Sequence, residues 1–456
     1  MKDLTRGSVY RQILSQALPM TLGMLVQTLY ILVDLYFVAG LGTHALAAVV
    51  SSANLMFLVI ALTQVLSVGL VALMAPAVGA QNPTEANRIF HQGLWLGLAG
   101  TCGLFMFGPF LVQPYVRATS TSIEVILLSQ QYLNWFLPGL ALQFVSVALV
   151  AGLRATGNVK STMKIQLLTV FLNILLAPVL INGWLTGYAM GVAGAGLAST
   201  LSVSAGLVLL LFYLHKQELY LHLRQIKKPD FKVLRRLLAI GCPAGAEFLL
   251  MFVFSALVYV LIKDFGSAAQ AGFGAGMRLV QAISLPAVAI AFSLPAVFGQ
   301  NLGAGRSDRI SASFNAALKM QLVAMGLLFL VCQLDPLWLI SFFSSDLDVR
   351  AAGSDFIQIT SWSLFASAVV LTCSGLFQGL GNTLPGLLSS VTRFLVFALA
   401  AICLSQSPAF SLHNLWLISA ASVVVQAVFS FLLARHQLMN TGRSVETPLR
   451  KKSLSS

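Results

Sequence analysis

Two carboxylates stand where a carboxylate is costly. Asp34 and Glu247 are the only acids well inside long apolar stretches of this 456-residue chain. A charge at the bilayer centre costs about 2.5–3.5 kcal/mol on insertion scales, so an acid kept there is a candidate for holding a proton or a cation. At about 1.5 Å of rise per helical residue, Asp34 falls in the outer half of its stretch. The same rule puts Asn173, Ser199 and Tyr132 of neighbouring stretches in that leaflet, where the four groups can form one polar cluster. Their plainer readings are an acid reaching interfacial water, an interhelical hydrogen bond, a small packing residue and an interfacial aromatic. Glu247 lies about 15 Å into its own stretch, near mid-membrane. It could attract a cationic compound, titrate alone, or be a protonated structural acid. Arg278 and Arg393 also lie within apolar stretches and could pair with Glu247 or with backbone carbonyls.

No other chemistry is supported. There is no metal-ligand cluster, nucleophile triad or phosphate loop. The histidines (His44, His91, His215, His222, His413 and His436) sit near stretch ends or in loops. The five cysteines are scattered through apolar segments without ligand spacing, as packing thiols are. Catalysis, a cofactor and a resident metal are therefore not expected.

The elements that must position these groups are set by composition. The chain is 58% hydrophobic and 9% charged, against about 25% charged in a soluble domain. Apolar stretches of about 20 residues recur from Ile13 to Ala434, each long enough to span a bilayer core. Backbone in lipid must bond to itself, so only helices or closed barrels cross. Barrel strands would be roughly 10 alternating residues, whereas these stretches are longer and continuously apolar. The reading is all-α, with helices near 12–39, 47–74, 92–115, 129–152, 161–184, 190–214, 237–262, 278–302, 315–340, 357–379, 385–405 and 413–434. No cleavable signal peptide is evident.

The net charge of +13 suggests nucleic acid only until the charges are placed. With the N-terminus cytoplasmic, Arg117, Lys263 and Arg350 fall outside and Arg278 and Arg393 within helices; every other Lys and Arg of the 27 is inside. That is the positive-inside pattern of an inner-membrane, multi-pass protein with both termini cytoplasmic. The expected division is a six-helix bundle over 1–214, a basic cytoplasmic linker over 215–236 lying along anionic headgroups, a second bundle over 237–434, and a basic cytoplasmic tail over 435–456.

The chain repeats itself. Pro19 and Pro243 open the first stretch of each half, 224 residues apart. Gly42 and Gly266, Gly79-Ala80 and Gly303-Ala304, and Gly157-Asn158 and Gly381-Asn382 keep the same offset. Six spans per half is an even number, so the halves share an orientation, related by a pseudo-two-fold along the membrane normal. Transporters use such a plan, with a cleft between the bundles.

With two six-helix halves established, the residues resemble the multidrug and toxic compound extrusion (MATE) family. The resemblance rests on Leu18-Pro19 through Val33-Asp34-Leu35-Tyr36 to Gly40-Leu41-Gly42, and on Gly152-Leu153-Arg154-Ala155-Thr156-Gly157-Asn158. Phe377-Gln378-Gly379-Leu380-Gly381-Asn382-Thr383 and Gly191-Val192-Ala193-Gly194-Ala195 extend it. It implies a V-shaped pair of bundles and export of organic compounds in exchange for protons or sodium. Asp34 matches the family's first-helix acid, which takes the coupling ion or proton. Asn173 and Ser199 match polar positions beside it, and Tyr132 is a weaker match. The first acid is present, and acids that another subgroup carries in helices seven and ten are missing, at Met251 and near Ser367. That pattern resembles the bacterial subgroup named for DNA-damage-inducible protein F. A second acid that the family often carries four residues after the asparagine is Ala177 here. One carboxylate replaces the water of a hard cation less well than two, which favours H⁺ over Na⁺. The family also implies that the first helix bends as its acid is neutralised, giving Pro19 a role beyond a plain kink.

The expected partners are a small organic compound, H⁺ or Na⁺ and membrane lipid, with no nucleic acid; the chain is expected to work as a monomer. A channel would need a ring of pore-lining groups from symmetric subunits. A flippase for lipid-linked oligosaccharide would need several inward basic residues, and only Arg278 and Arg393 are deep. A membrane protein that moves nothing is the remaining alternative.

Overall fold

The computed structural model describes residues 2–453 except 185–186, 217–219, 224–225 and 408–409. The described residues contain helices and no strand. The first half comprises α1 (Val9–Ala39), α2 (Thr43–Gly79), α3 (Pro83–Thr119), α4 (Ile123–Ala155), α5 (Val159–Ile181) and α6 (Val192–Lys216). The second comprises α7 (Phe231–Ile262), α8 (Ser267–Ile283), α9 (Leu285–Gly303), α10 (Ser307–Leu334), α11 (Pro336–Ser341), α12 (Leu347–Thr360), α13 (Leu364–Gly379), α14 (Leu384–Ser405) and α15 (Leu412–Ser453). Among the described residues, 12 helical segments are long and apolar enough to cross a membrane.

Most helices run past the apolar stretches that announce them, because a helix bonds its own backbone whether its side chains are apolar or polar; at α3 a polar cap also marks the start. Asn82 accepts a hydrogen bond from the Glu85 amide at 3.0 Å, so α3 starts at Pro83, not near 92. Pro19 and Pro243 likewise lie inside α1 and α7 rather than at their starts.

The offset of 224 governs helix boundaries. Helix α2 and the α8–α9 pair start at Thr43 and Ser267 and end at Gly79 and Gly303. The second half breaks spans that the first keeps whole, at Ser284, at Asp335 and through the 3₁₀ turn Ser361–Ser363. Pro286 and Pro336 open α9 and α11, the positions where a missing N–H does no harm.

Helix ends repeat at the level of single bonds. The Gly157 amide reaches Arg154 O at 2.9 Å and the Asn158 amide reaches Leu153 O at 2.9 Å. Gly381 and Asn382 bond to Gln378 O and Phe377 O at 3.1 and 3.0 Å. Both are Schellman closures, which need a left-handed residue, and the glycine φ values are 76° and 71°. The α2 and α9 ends close the same way through Gln81 and Gly305. Gln81 holds φ 54° with a side chain where its repeat mate is glycine.

Contacts divide the chain into two compact units: Met1–Asp3 with Leu22–Gly245, and Leu4–Thr21 with Ala246–Ser456. The breaks fall inside α1 and α7, at Thr21/Leu22 and Gly245/Ala246, again 224 residues apart. The units therefore differ from a linear division in one symmetrical respect: each takes the opening part of the other half's first helix.

In unit 1 that part is the start of α7, where Leu237 joins a core with Leu66, Leu70 and Met74. A Cβ on Gly241 would stand 2.0 Å from Val65 O, and one on Gly245 would stand 2.4 Å from a Val65 methyl. Small residues four apart admit this close helix contact. In unit 2, Ile13 and Ala17 of α1 pack with Leu294, Val297 and Phe298.

The segments leading into these helices are fastened too. In unit 2 the Leu4 amide donates to Gln300 Oε1 at 3.0 Å, and Arg306 donates to Thr5 O at 2.7 Å. In unit 1, Gln92 bonds Lys228 O at 3.0 Å and accepts from the Asp230 amide at 2.7 Å, while Trp95 donates to Lys227 O at 3.0 Å. Arg88 pairs with Asp230, and its guanidinium holds that carboxyl below the usual carboxylate range. Lys216 ends α6 and Phe231 starts α7, and the stretch just before α7 is thus bound to α3 through Lys227, Lys228 and Asp230.

Candidate functional site

Helices α1, α4, α5 and α6 bring the first cluster together in unit 1. Asp34 is 7% exposed, Tyr132 6%, Asn173 2% and Ser199 1%. Ser199 is the hub: its Oγ accepts from Asn173 Nδ2 at 3.4 Å and pairs with the Tyr30 hydroxyl at 2.9 Å. Asp34 is within electrostatic range of the Tyr30 and Tyr132 hydroxyls. Its Oδ1 is buried and has no hydrogen-bond partner among the described residues. An ionised carboxylate in that state keeps an unmet demand for a proton or a cation.

In the sequence Tyr30 reads as one more aromatic in an apolar run, and only the fold brings it to Ser199. The available signal is its spacing: Tyr30 precedes Asp34 by four residues, which puts both on one helix face. Ala177, at the position where the family often carries a second acid, is fully buried in the apolar cluster that contains Tyr132 and Val38. Among the described residues no group of three or more His, Cys, Asp or Glu is placed to hold a metal.

Glu247 belongs to a separate cluster in unit 2. Its Oε1 accepts from Ser390 Oγ of α14 at 3.0 Å, and Ser390 Oγ accepts from Gln426 Nε2 of α15 at 3.1 Å. The pairing left open by the sequence is settled among the described residues: neither Arg278 nor Arg393 forms an ion pair with Glu247. Arg393 lies over the Phe254 ring, 4.6 Å from its centroid, and Arg278 is exposed on α8. Pro19 lies within a continuous α1, three residues before the unit break.

The 224 offset shows that the unit 1 cluster has no copy in unit 2. The mates of Tyr30, Asp34, Tyr132, Asn173 and Ser199 are Phe254, Val258, Phe356, Phe397 and Val423. Four of these five, with Trp416, belong to an apolar core. Phe254 and Phe397 are 4.7 Å apart, and Phe356 meets Trp416 at 4.9 Å.

A duplicated set of membrane-spanning helices, with a buried carboxylate in one copy that is unpartnered among the described residues, is the plan of a secondary transporter. Comparison with known proteins agrees. The MatE family model matches residues 19–179 and 243–402, once in each half. The chain belongs to the MatE family of multi-pass membrane transporters, whose members move small compounds. It is 25% identical over 435 residues to the probable multidrug resistance protein YoeA of Bacillus subtilis, covering 94% of each chain. It is 25% identical over 421 residues to the FAD transporter of Shewanella oneidensis, covering 89% of this chain and 91% of that one. An outward-facing multidrug resistance MATE family transporter superposes with TM-score 0.89 over 96% of this chain and 98% of its own, at 24% identity. A MATE structure in complex with MaL6 gives TM-score 0.90 over 97% and 99%, at 22% identity.

Proposed function

We propose that this transporter exports organic compounds, cationic or amphipathic, by antiport with H⁺ through alternating access. The observation that carries the reading is Asp34: buried, one oxygen unpartnered among the described residues, within electrostatic range of the Tyr30 and Tyr132 hydroxyls, and with Ala177 in the place of a second carboxylate. A single carboxylate can take up and release one proton as its surroundings alternate between water and protein, but it is a poor cage for Na⁺. Asn173, Ser199 and Tyr132 orient the Asp34 environment, and Pro19 lets α1 bend. Glu247 supplies a negative charge for cationic cargo. The names of the relatives, from multidrug resistance to FAD transport, support small organic cargo without fixing one compound. The basic balance supports cytoplasmic termini, a cytoplasmic 215–236 linker and 435–456 tail, and residence in the inner membrane; that one chain carries both six-helix halves supports a working monomer.

The test is flux into vesicles carrying purified protein, with an imposed pH gradient and no sodium. If one proton exchanges for one monovalent cation, no net charge moves and the pH gradient alone drives transport. One pH unit then supports about tenfold accumulation. A requirement for sodium would reject the proton version. Cysteine labelling from outside should fail at Lys228 and succeed near Arg117; labelling of both would refute the orientation.

A further inference from the structure

The cluster in unit 2 is bipolar. Helices α7 and α14 present an acid and a base that do not neutralise each other. Glu247 is held by Ser390, and through it by Gln426. Arg393 lies one turn along α14 from Ser390, and Phe254 two turns along α7 from Glu247. Arg393 makes no hydrogen bond and no ion pair to any other described residue. Its Nε is buried without a partner among the described residues, and its guanidinium rests on Phe254. Phe254 in turn packs on Phe397 of α14, which fixes the platform. A guanidinium offers five N–H donors in a planar fork suited to carboxylate or phosphate. The aromatic contact steadies the cation and leaves those donors unused. With a rise of about 1.5 Å per residue, the two charges sit at levels roughly 5–10 Å apart along the helices, the span of a small aromatic molecule.

We propose that unit 2 recognises compounds bearing both charges: Glu247 takes the cationic group, and Arg393 takes a carboxylate or phosphate on the same molecule. This rests on the reading of Glu247 as a cargo charge, and it narrows the cargo from organic cations to zwitterionic ones. Arg393 is then a specificity-determining residue, and Phe254 positions it. A plain cation satisfies Glu247 and leaves Arg393 unmet, so it binds less well than its acid-bearing counterpart.

Rhodamine 110 and its methyl ester, rhodamine 123, test this, because they share one cationic ring system and differ in a free or blocked carboxyl. Binding to purified protein is measured by fluorescence polarisation with no gradient, so the result is independent of whether protons drive transport. The wild type should bind the free acid about tenfold more tightly than the ester. Arg393→Gln should erase that preference by weakening the acid alone, and Arg393→Lys should restore part of it. Glu247→Gln should weaken both dyes. Equal wild-type affinity for acid and ester overturns the proposal, and this comparison needs no variant to fold. A uniform loss for both dyes in a monodisperse Arg393→Gln protein also overturns it, since that marks a structural arginine. Zwitterion preference without pH-driven flux would sink proton antiport and leave the recognition intact.

Discussion

Units 1 and 2 share a register down to helix-end hydrogen bonds, yet the layer around Asp34 and the layer around Val258 have opposite chemistry. Unit 1 fills it with a carboxylate, two phenols, an amide and a hydroxyl; unit 2 fills it with three phenylalanines and two valines. Unit 2 keeps its own charges nearer the positions of Gly23, Gln166 and Thr169, the repeat mates of Glu247, Ser390 and Arg393. Duplication preserved the scaffold, because each turn and each close crossing is a steric requirement of the backbone. It did not preserve the side chains, because a polar layer needs only to be satisfied within its own unit. The proposed division of coupling to unit 1 and recognition to unit 2 uses that freedom.

The largest expected effect comes from exchanging the two layers. Asp34→Asn should leave a folded protein that binds cargo but shows no accumulation above equilibrium in the pH-gradient assay. Full accumulation by this variant would remove Asp34 from the mechanism. The reciprocal change, Val258→Asp, puts a carboxylate at a position 1% exposed among aromatic rings. It should cost about 3 kcal/mol or more and lower the unfolding temperature in detergent. A stable Val258→Asp protein would mean that the second layer is wetter than its packing indicates.

Next is the crossing of α7 on α2. Gly241→Ala sets a methyl 2.0 Å from Val65 O, so backbone must move, at a cost of about 1–3 kcal/mol. Its repeat mate is Ala17, already 2% exposed in unit 2, so the two crossings differ in tightness. An unchanged melting temperature for Gly241→Ala would erase that difference.

Tyr30→Phe makes the unit 1 layer resemble Phe254. It removes the bond to Ser199, worth about 1 kcal/mol, and alters the surroundings of Asp34. We expect a modest loss of stability together with a displaced pH dependence of flux. A wild-type pH profile would confine Tyr30 to packing.

The smallest effect is a gain. Gln81→Gly gives α2 the residue its mate Gly305 already supplies. Relief of the left-handed strain, less the entropy of glycine, leaves about 0.5–1 kcal/mol of stabilisation, readable as a small rise in melting temperature.

The sequence alone determined the class of fold, the number of spans, the duplication and the two interior acids. In lipid each span must satisfy its own backbone, so length and composition decide a helix locally, and a carboxylate among apolar residues is visible without coordinates. Landmark glycines were legible because only certain backbone angles close a helix. What depends on how each helix is rotated about its axis was not legible. The bond from Tyr30 to Ser199 joins residues 169 apart, and that from Ser390 to Glu247 joins residues 143 apart. Arg393 had Glu247 and any backbone carbonyl open to it and settled on Phe254. The division of α1 and α7 between units likewise escapes hydropathy, because an apolar helix packs equally well on either side. Contacts of small residues such as Gly241 on Val65, which form only once the helices meet, decide which side it takes.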